Sequence, residues 1–416
     1  MINTLPPDLL QEILLRLTVH QLGFVKLVCK LWKDLISEPS FAKTHYERSL
    51  APTHRCIFIP QYTNLHVSID LDALSHVIDA NAAAATTTEI TPCSPLKGKD
   101  NVSANDYCII LGSCRGFIAL YHHPHFFIIW NPLTRTHRTI PCHTKFPNNN
   151  AIYGHGFTGK ILFGFGYDAI RDDYLVVVYW NDDEEENEKC HFDFFSLRSN
   201  SWSSFKEDGV TISDELKRTE IWARSWLFLN GAIHWLHHDI VHDATATIFV
   251  FDTSQRKWFT EIPVLKQVGK HYPCHFRLLG ECLALCYANI GADDDATSVI
   301  WVMKEYNVQF SWTSYDIPSR HFKPLWLSDN GDFIGFDRSP RLSKYNDIGE
   351  LLLSFDSAFY QHEDVTFAVY TESLLSLPND SYESEEKEEG YVKLFFHALL
   401  CAILALLLLL YAIMNL

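Results

Sequence analysis

Two periodicities divide the chain. Up to residue 50 the apolar positions recur every three or four residues. Leu9, Leu10, Ile13, Leu14 and Leu17 form one stripe, Leu22 and Val25 a short middle piece, and Val28, Leu31, Trp32, Leu35 and Ile36 a third. That spacing predicts three helical pieces of about ten residues each. Pro6 and Pro7 suit a first helical turn, and Pro39 closes the third piece. So small a bundle buries little surface and is expected to lean on a partner or on the rest of its own chain.

From 51 to 378 helical spacing gives way to short aromatic or β-branched runs such as Cys56–Ile59, Cys108–Leu111, Phe117–Tyr121, Phe126–Trp130, Tyr174–Trp180 and Thr247–Phe251. Turn clusters, Asn148–Asn150 and Asp293–Asp295 among them, separate the runs. The stretch Ala80–Thr88, followed by Pro92, Pro95 and Gly98, predicts a flexible insert over 78–105.

A repeat underlies these strands. A glycine precedes an apolar run at Gly116, Gly166, Gly231, Gly280 and Gly331, in steps of 50, 65, 49 and 51 residues. A strand, a polar turn and a tryptophan recur as Phe192–Trp202, Ile248–Trp258 and Ile300–Trp312, and Ile-Pro pairs recur at Ile140-Pro141, Ile262-Pro263 and Ile317-Pro318. A period near 50 with four strands per unit is that of a kelch-type β-propeller. Each blade covers the next, and the tryptophans are expected in the seams. The acidic loop Asp182–Glu188 accounts for the long step, and the first strands (Cys56–Ile59 or Leu65–Leu71) and the last (Val365–Tyr370) are expected to share a blade. An ordinary β-sandwich is the alternative, although about 320 residues is long for one.

Residues 379–390 are an acidic linker around Lys387. In 391–416, the 21 residues Leu394–Met414 carry no formal charge, and as a helix they would span about 31 Å, one hydrocarbon thickness. The expectation is a C-terminal hydrophobic helix acting as a transmembrane tail anchor, with residues 1–390 on the cytosolic side. A buried helix is the competing reading.

Composition narrows the function. A formal charge of −17 with no block of Lys or Arg excludes a typical nucleic-acid binder. Met1–Leu10 has no basic and apolar leader pattern, and the eleven cysteines include no C-x-x-C pair. The thiols therefore read as free, in a reducing cytosolic or nuclear-facing compartment.

The run Leu5-Pro6-Pro7-Asp8-Leu9-Leu10-Gln11-Glu12-Ile13-Leu14-Leu15-Arg16-Leu17, then Leu22, Val28-Cys29-Lys30-Leu31-Trp32, Leu35-Ile36-Ser37 and Pro39-Ser40-Phe41, resembles an F-box. Two positions depart from it: Thr18 stands where a proline is usual, and Gly23-Phe24 where Leu-Arg is usual. Gly112-Ser113-Cys114-Arg115-Gly116-Phe117, Trp130-Asn131-Pro132-Leu133-Thr134-Arg135, Phe163–Asp168 with Asp172–Val177, and Leu229–Trp235 resemble the F-box-associated domain common in plants. The resemblance implies a substrate receptor of a Skp–cullin–F-box ubiquitin ligase. Its helices would dock on a Skp-type adaptor and through it on cullin, and its β domain would hold an unidentified protein client. Leu5, Pro6, Leu9, Ile13, Leu14, Leu17, Leu22, Val28, Cys29 and Trp32 are the residues expected to touch the adaptor or build the bundle, with Leu5, Pro6 and Leu9 favoured for direct contact. Such a subunit needs no catalytic residue, cofactor or metal.

Other chemistry is weaker. His122-His123-Pro124-His125 and His234, His237, His238, Asp239 and His242 are dense in histidine, but the i, i+4 pair His238/His242 lies in a strand-and-turn region where helical ligand spacing has no meaning. Gly154–Lys160 lacks the phosphate-loop pattern, because Ile161 follows the lysine. The long loops 143–160, 181–190, 237–246 and 289–298 are the candidates for client contact. Two rivals remain: a propeller-type enzyme or carbohydrate-binding protein, recognisable by convergent carboxylates at the axis, and a membrane-tethered scaffold whose F-box no longer binds an adaptor.

Overall fold

The computed structural model describes residues 6–49, 52–60, 66–77, 87–90, 108–122, 126–143, 162–182, 189–205, 226–239, 245–264, 273–288, 297–319, 322–337, 341–356 and 365–378. They form two compact units. One takes the chain up to Thr53, the loop Asn131–Thr136 and the stretch from Thr371; the other takes His54–Trp130 and His137–Tyr370.

The first unit is helical: α1 (Pro7–Leu14), α2 (Val19–Val25), α3 (Lys30–Ser37) and α4 (Pro39–Arg48). The fourth helix corrects the sequence expectation. Pro39 closes the third helix as expected, α3 ending at Ser37, and it also sits in the first turn of α4, where its missing N–H costs nothing. Phe41, Ala42 and His45 are then buried on the inner side of α4.

The second unit is an all-β propeller of six four-stranded antiparallel sheets. Blade 1 is Cys108–Cys114, Phe117–His122, Phe126–Trp130 and His137–Pro141. Blade 2 is Leu162–Asp168, Asp173–Asp182, Lys189–Ser196 and Ser201–Ser204. Blade 3 comprises Trp226–Leu229, Ala232–Asp239, Thr245–Asp252 and Lys257–Pro263. Blade 4 comprises Pro273–Leu279, Cys282–Ala288, Ser298–Met303 and Trp312–Ile317. Blade 5 has Lys323–Leu327, Phe333–Phe336, Arg341–Tyr345 and Leu351–Asp356. Blade 6 closes the ring: the last strand, Val365–Thr371, lies beside the first, His54–Pro60, followed by His66–Asp70 and Thr87–Ile90. The strand Thr87–Ile90 falls inside the stretch expected to be a flexible insert. It pairs with His66–Ile69 and completes the fourth position of the blade.

Left-handed turns explain the glycine repeat. Arg115-Gly116 and Asn230-Gly231 both take positive φ (51° and 84°, 51° and 75°), so each closes its hairpin with a mirror-image turn that matches strand twist. Gly166 is different. It lies within a strand, and a Cβ there would come within 2.8 Å of Phe228 and 2.9 Å of Thr253 in blade 3. The left-handed turn position of blade 2 belongs to Asp172. Counted from Asp172 the step to Gly231 is 59 residues, so part of the long step reflects a packing glycine counted as a turn glycine; the acidic loop 183–188 lies outside the described residues.

The seams between blades hold the core. Tyr121, Phe127 and Phe163 join blades 1 and 2, where Trp202 also donates its indole N–H to the Pro141 carbonyl at 2.9 Å. Phe192 and Phe251 join blades 2 and 3. Ile262 and Trp312 belong to the seam of blades 3 and 4, and Ile317, Phe322 and Tyr345 to that of blades 4 and 5. Phe58 and Phe336 join blades 5 and 6, and Ile57 and Tyr370 pack with Ile118 and Trp130 of blade 1. The recurring isoleucines Ile140, Ile262 and Ile317 are all fully buried ends of fourth strands. On the axis, the Trp226 ring of blade 3 lies where a Cβ on Gly112 of blade 1 would sit 3.0 Å away.

The predicted apolar segment 391–416 and the acidic linker lie outside the described residues. Among the described residues no helix is long and apolar enough to cross a membrane.

His234 gives the fold a pH signature. It is fully buried in blade 3, with Nε2 2.8 Å from the Tyr306 hydroxyl and Nδ1 3.4 Å from the Leu227 carbonyl. A neutral ring satisfies both, donating from Nδ1 and accepting at Nε2. Burial lowers its pKa from 6.5 to about 4. Above the unfolded value neither state carries the proton; as pH falls from about 6.5 toward 4 only the unfolded chain takes it up, so stability drops by about 3 kcal/mol over that window. Thermal melts across this range are expected to show a shallower acid decline for His234→Phe than for the parent chain.

Candidate functional site

The helical unit is built by local signals. Pro7 in the first turn starts α1, with Pro6 in the N-cap position. At α2, Thr18 accepts the Gln21 N–H at 3.3 Å while the Gln21 side chain accepts the Thr18 N–H at 2.9 Å. This capping box satisfies two otherwise unpaired donors. The departure at Thr18 thus replaces a rigid start with a hydrogen-bonded one. His45 of α4 pairs with the Leu17 carbonyl at 2.8 Å, and Arg48 meets Glu12 of α1 at 3.3 Å.

The expected site residues separate into two sets. Leu14, Leu22 and Trp32 are buried in a core with Leu10, Leu15, Val25, Ile36 and Phe41, and Leu17 and Val28 pack against it from the side. These build the bundle. Pro6, Leu9 and Cys29 are exposed, Leu9 by 54 %, and Ile13 is half-buried. Leu5 lies outside the described residues. Three large exposed apolar side chains were absent from the expected set: Phe24 at 37 %, Leu27 at 64 % and Leu31 at 55 %. All three fall within eight residues at the corner from α2 to α3. For Leu31 the available signal was the width of the stripe, because α3 spans eight residues and cannot turn Leu31, Trp32, Leu35 and Ile36 all inward.

Charge frames this corner. Lys30 and Lys33 are exposed and Lys26 half-buried, and no acidic group pairs with them among the described residues. Burial, and after it the nearby Lys33, pulls the Lys26 pKa down. An apolar patch with a basic rim suits an apolar groove with acidic edges.

Elsewhere the structure ties up the candidate chemistry. His122 is buried and stacks on Phe126 at 4.6 Å between centroids. Among the described residues no group of three His, Cys, Asp or Glu is placed to hold a metal ion; His123, His125 and His242 lie outside them, as do Gly154–Lys160. In the innermost strands of the six blades the one acidic side chain is Asp168. It is fully buried, accepts the Ile170 and Arg171 N–H groups, and holds the Arg171 guanidinium at 2.8 Å and that of Arg256 at 3.6 Å. Cys56, Cys114 and Cys286 are buried and in no disulfide, and burial pushes the thiols of Cys56 and Cys114 up, away from nucleophilic use. The expected client loops fall largely outside the described residues.

Comparison with known proteins agrees with this architecture. A profile of the F-box domain matches residues 2–44, and one of the F-box associated beta propeller domain matches 61–337, more than half of the chain. The chain belongs to this F-box family. It is 27 % identical over 340 residues to F-box/kelch-repeat protein At3g23880 of Arabidopsis thaliana, covering 79 % of this chain and 84 % of the relative. F-box protein CPR1 of the same plant is 28 % identical over 326 residues, covering 74 % and 72 %. A hypothetical selenium-binding protein from Sulfolobus tokodaii aligns at a TM-score of 0.35 and 10 % identity, over 76 % of this chain and 77 % of that one, too distant a likeness to carry an argument.

The two sets of F-box residues should respond differently to truncation. Trp32→Ala is expected to cost about 3–5 kcal/mol of bundle stability and Thr18→Ala about 1 kcal/mol. Leu27→Ala and Leu31→Ala should stay within about 0.5 kcal/mol of the parent in denaturant titrations.

Proposed function

We propose that the chain is the substrate-recognition subunit of a Skp–cullin–F-box ubiquitin ligase. The helical unit docks on a Skp-type adaptor, which joins it to cullin, and the propeller holds the protein to be ubiquitinated. The observation that carries this reading is the exposed trio Phe24, Leu27 and Leu31, with Leu9 on α1, on a bundle whose own core is already filled. Large apolar side chains held in water on a unit this small mark a docking face. The basic rim of Lys26, Lys30 and Lys33 supports a groove with acidic edges as the receiving surface.

Such a subunit acts without a catalytic group. Tethering raises the effective concentration of client lysines near the ubiquitin-charged enzyme, so transfer becomes intramolecular. The engaged Asp168 carboxylate and the Trp226 side chain packed at the axis give no support to the rival reading of a propeller enzyme.

The uncharged run 394–414 supports a membrane span, with residues 1–390 on the cytosolic side. Alkaline carbonate extraction of the full chain tests this: retention in the pellet is expected, and release into the soluble fraction ends the idea.

Affinity capture of the full chain with a purified Skp-type adaptor tests the main reading. Leu27→Asp together with Leu31→Asp is expected to abolish capture while leaving the melting transition in place, and raising salt should weaken parent binding. Full capture by the double variant would overturn the assigned face.

A further inference from the structure

The helical unit is not built from its own sequence alone. After the ring-closing strand the chain continues as a strap, Thr371–Pro378, without regular secondary structure beyond Thr371. Its Leu374 packs against the buried core of α1–α4. Leu375 and Leu377 are also buried.

Four polar contacts hold the strap in one register. The Glu372 N–H donates to the Thr53 carbonyl at 2.9 Å, immediately before the first strand of blade 6. The Glu372 carboxylate, 4 % exposed, meets His20 of α2 at 2.7 Å. Asn131 is fully buried and spends its whole amide here: Nδ2 donates to the Ser373 carbonyl at 3.0 Å and the Leu375 carbonyl at 3.1 Å, while Oδ1 accepts from the Leu133 and Thr134 N–H groups. Two donors and two acceptor positions leave no capacity unused. An aspartate could not substitute, because its oxygens would face two carbonyl oxygens.

We propose that the strap Thr371–Pro378 is a structural component of the docking unit, so that the F-box helices reach their docking-competent packing only once the last strand of the propeller has closed the ring. The strap follows the closing strand without an intervening residue, so the register of Val365–Thr371 sets which strap residue reaches the helices. One residue of slip would withdraw Leu374 from the core and Glu372 from His20. The N-terminal helices are made first but completed last, which withholds the adaptor-binding face from chains with an unfinished propeller. The binding consequence rests on the docking reading above; the structural consequence does not.

Hydrogen exchange on the full chain separates the two. Leu374→Asp and Asn131→Ala are expected to lower amide protection in α1–α4 by at least about tenfold while the second strands of blades 2–4 keep theirs, and adaptor affinity should fall in parallel. Glu372→Gln, which keeps the side-chain shape and replaces the carboxylate that meets His20, should give a smaller loss in the same helices. It decides the matter if Leu374→Asp unfolds the whole chain. Ile170→Ser, on an exposed turn of blade 2, should change neither. Unchanged protection of α1–α4 in Asn131→Ala and Glu372→Gln would overturn the proposal. Lost protection in a chain whose parent form ignores the adaptor would support the strap and sink the ligase reading instead.

Discussion

The structure depends on one pairing, that of the last strand with the first. Each four-stranded blade is apolar on both faces and stable only when a neighbour covers each. With Val365–Thr371 laid against His54–Pro60, all six seams are filled and Phe58, Ile57 and Tyr370 have partners. Without it, two seams would open at once. The same pairing returns the chain to Thr53, from which the strap reaches the helices.

Within the ring, large rings meet small residues. Gly164 and Gly166 of blade 2 admit the side chains of Ile233, Trp235 and Phe228 of blade 3, and Gly112 admits Trp226. These close approaches lock the inner strands of neighbouring blades together. Buried Lys344 pairs with Asp332 at 3.1 Å and donates to the Ser75 carbonyl at 2.6 Å, which ties blade 5 to the short helix Leu71–His76. These are devices of a rigid platform.

The helical unit solves a different problem. With helices of 7, 8 and 10 residues it cannot bury every apolar side chain of its stripes. It keeps Trp32, Leu14 and Leu22 inside, borrows Leu374, and leaves Leu27 and Leu31 in water. A surface that is costly in isolation becomes useful when a partner covers it.

Much of this was legible in the residues, because it rests on local rules. Glycine at left-handed turns marks hairpins, Ile-Pro marks the ends of fourth strands, and tryptophan marks seams; together they fixed the period and the class of fold before any contact was known. The order of Leu-Pro, Glu-Ile-Leu and Val-Cys-Lys-x-Trp likewise carried the resemblance to an F-box. What periodicity could not reveal was the facing of individual side chains within a wide stripe, since Leu31 and Trp32 differ by only 100° of helix rotation. Nor could it distinguish Gly166 from the turn glycines, or give Asn131 its task. Those depend on groups far apart in sequence, Asn131 with Ser373 and Leu374 with the core of α1–α4, and only the closed ring brings such distant carbonyls and methyl groups within reach of one another.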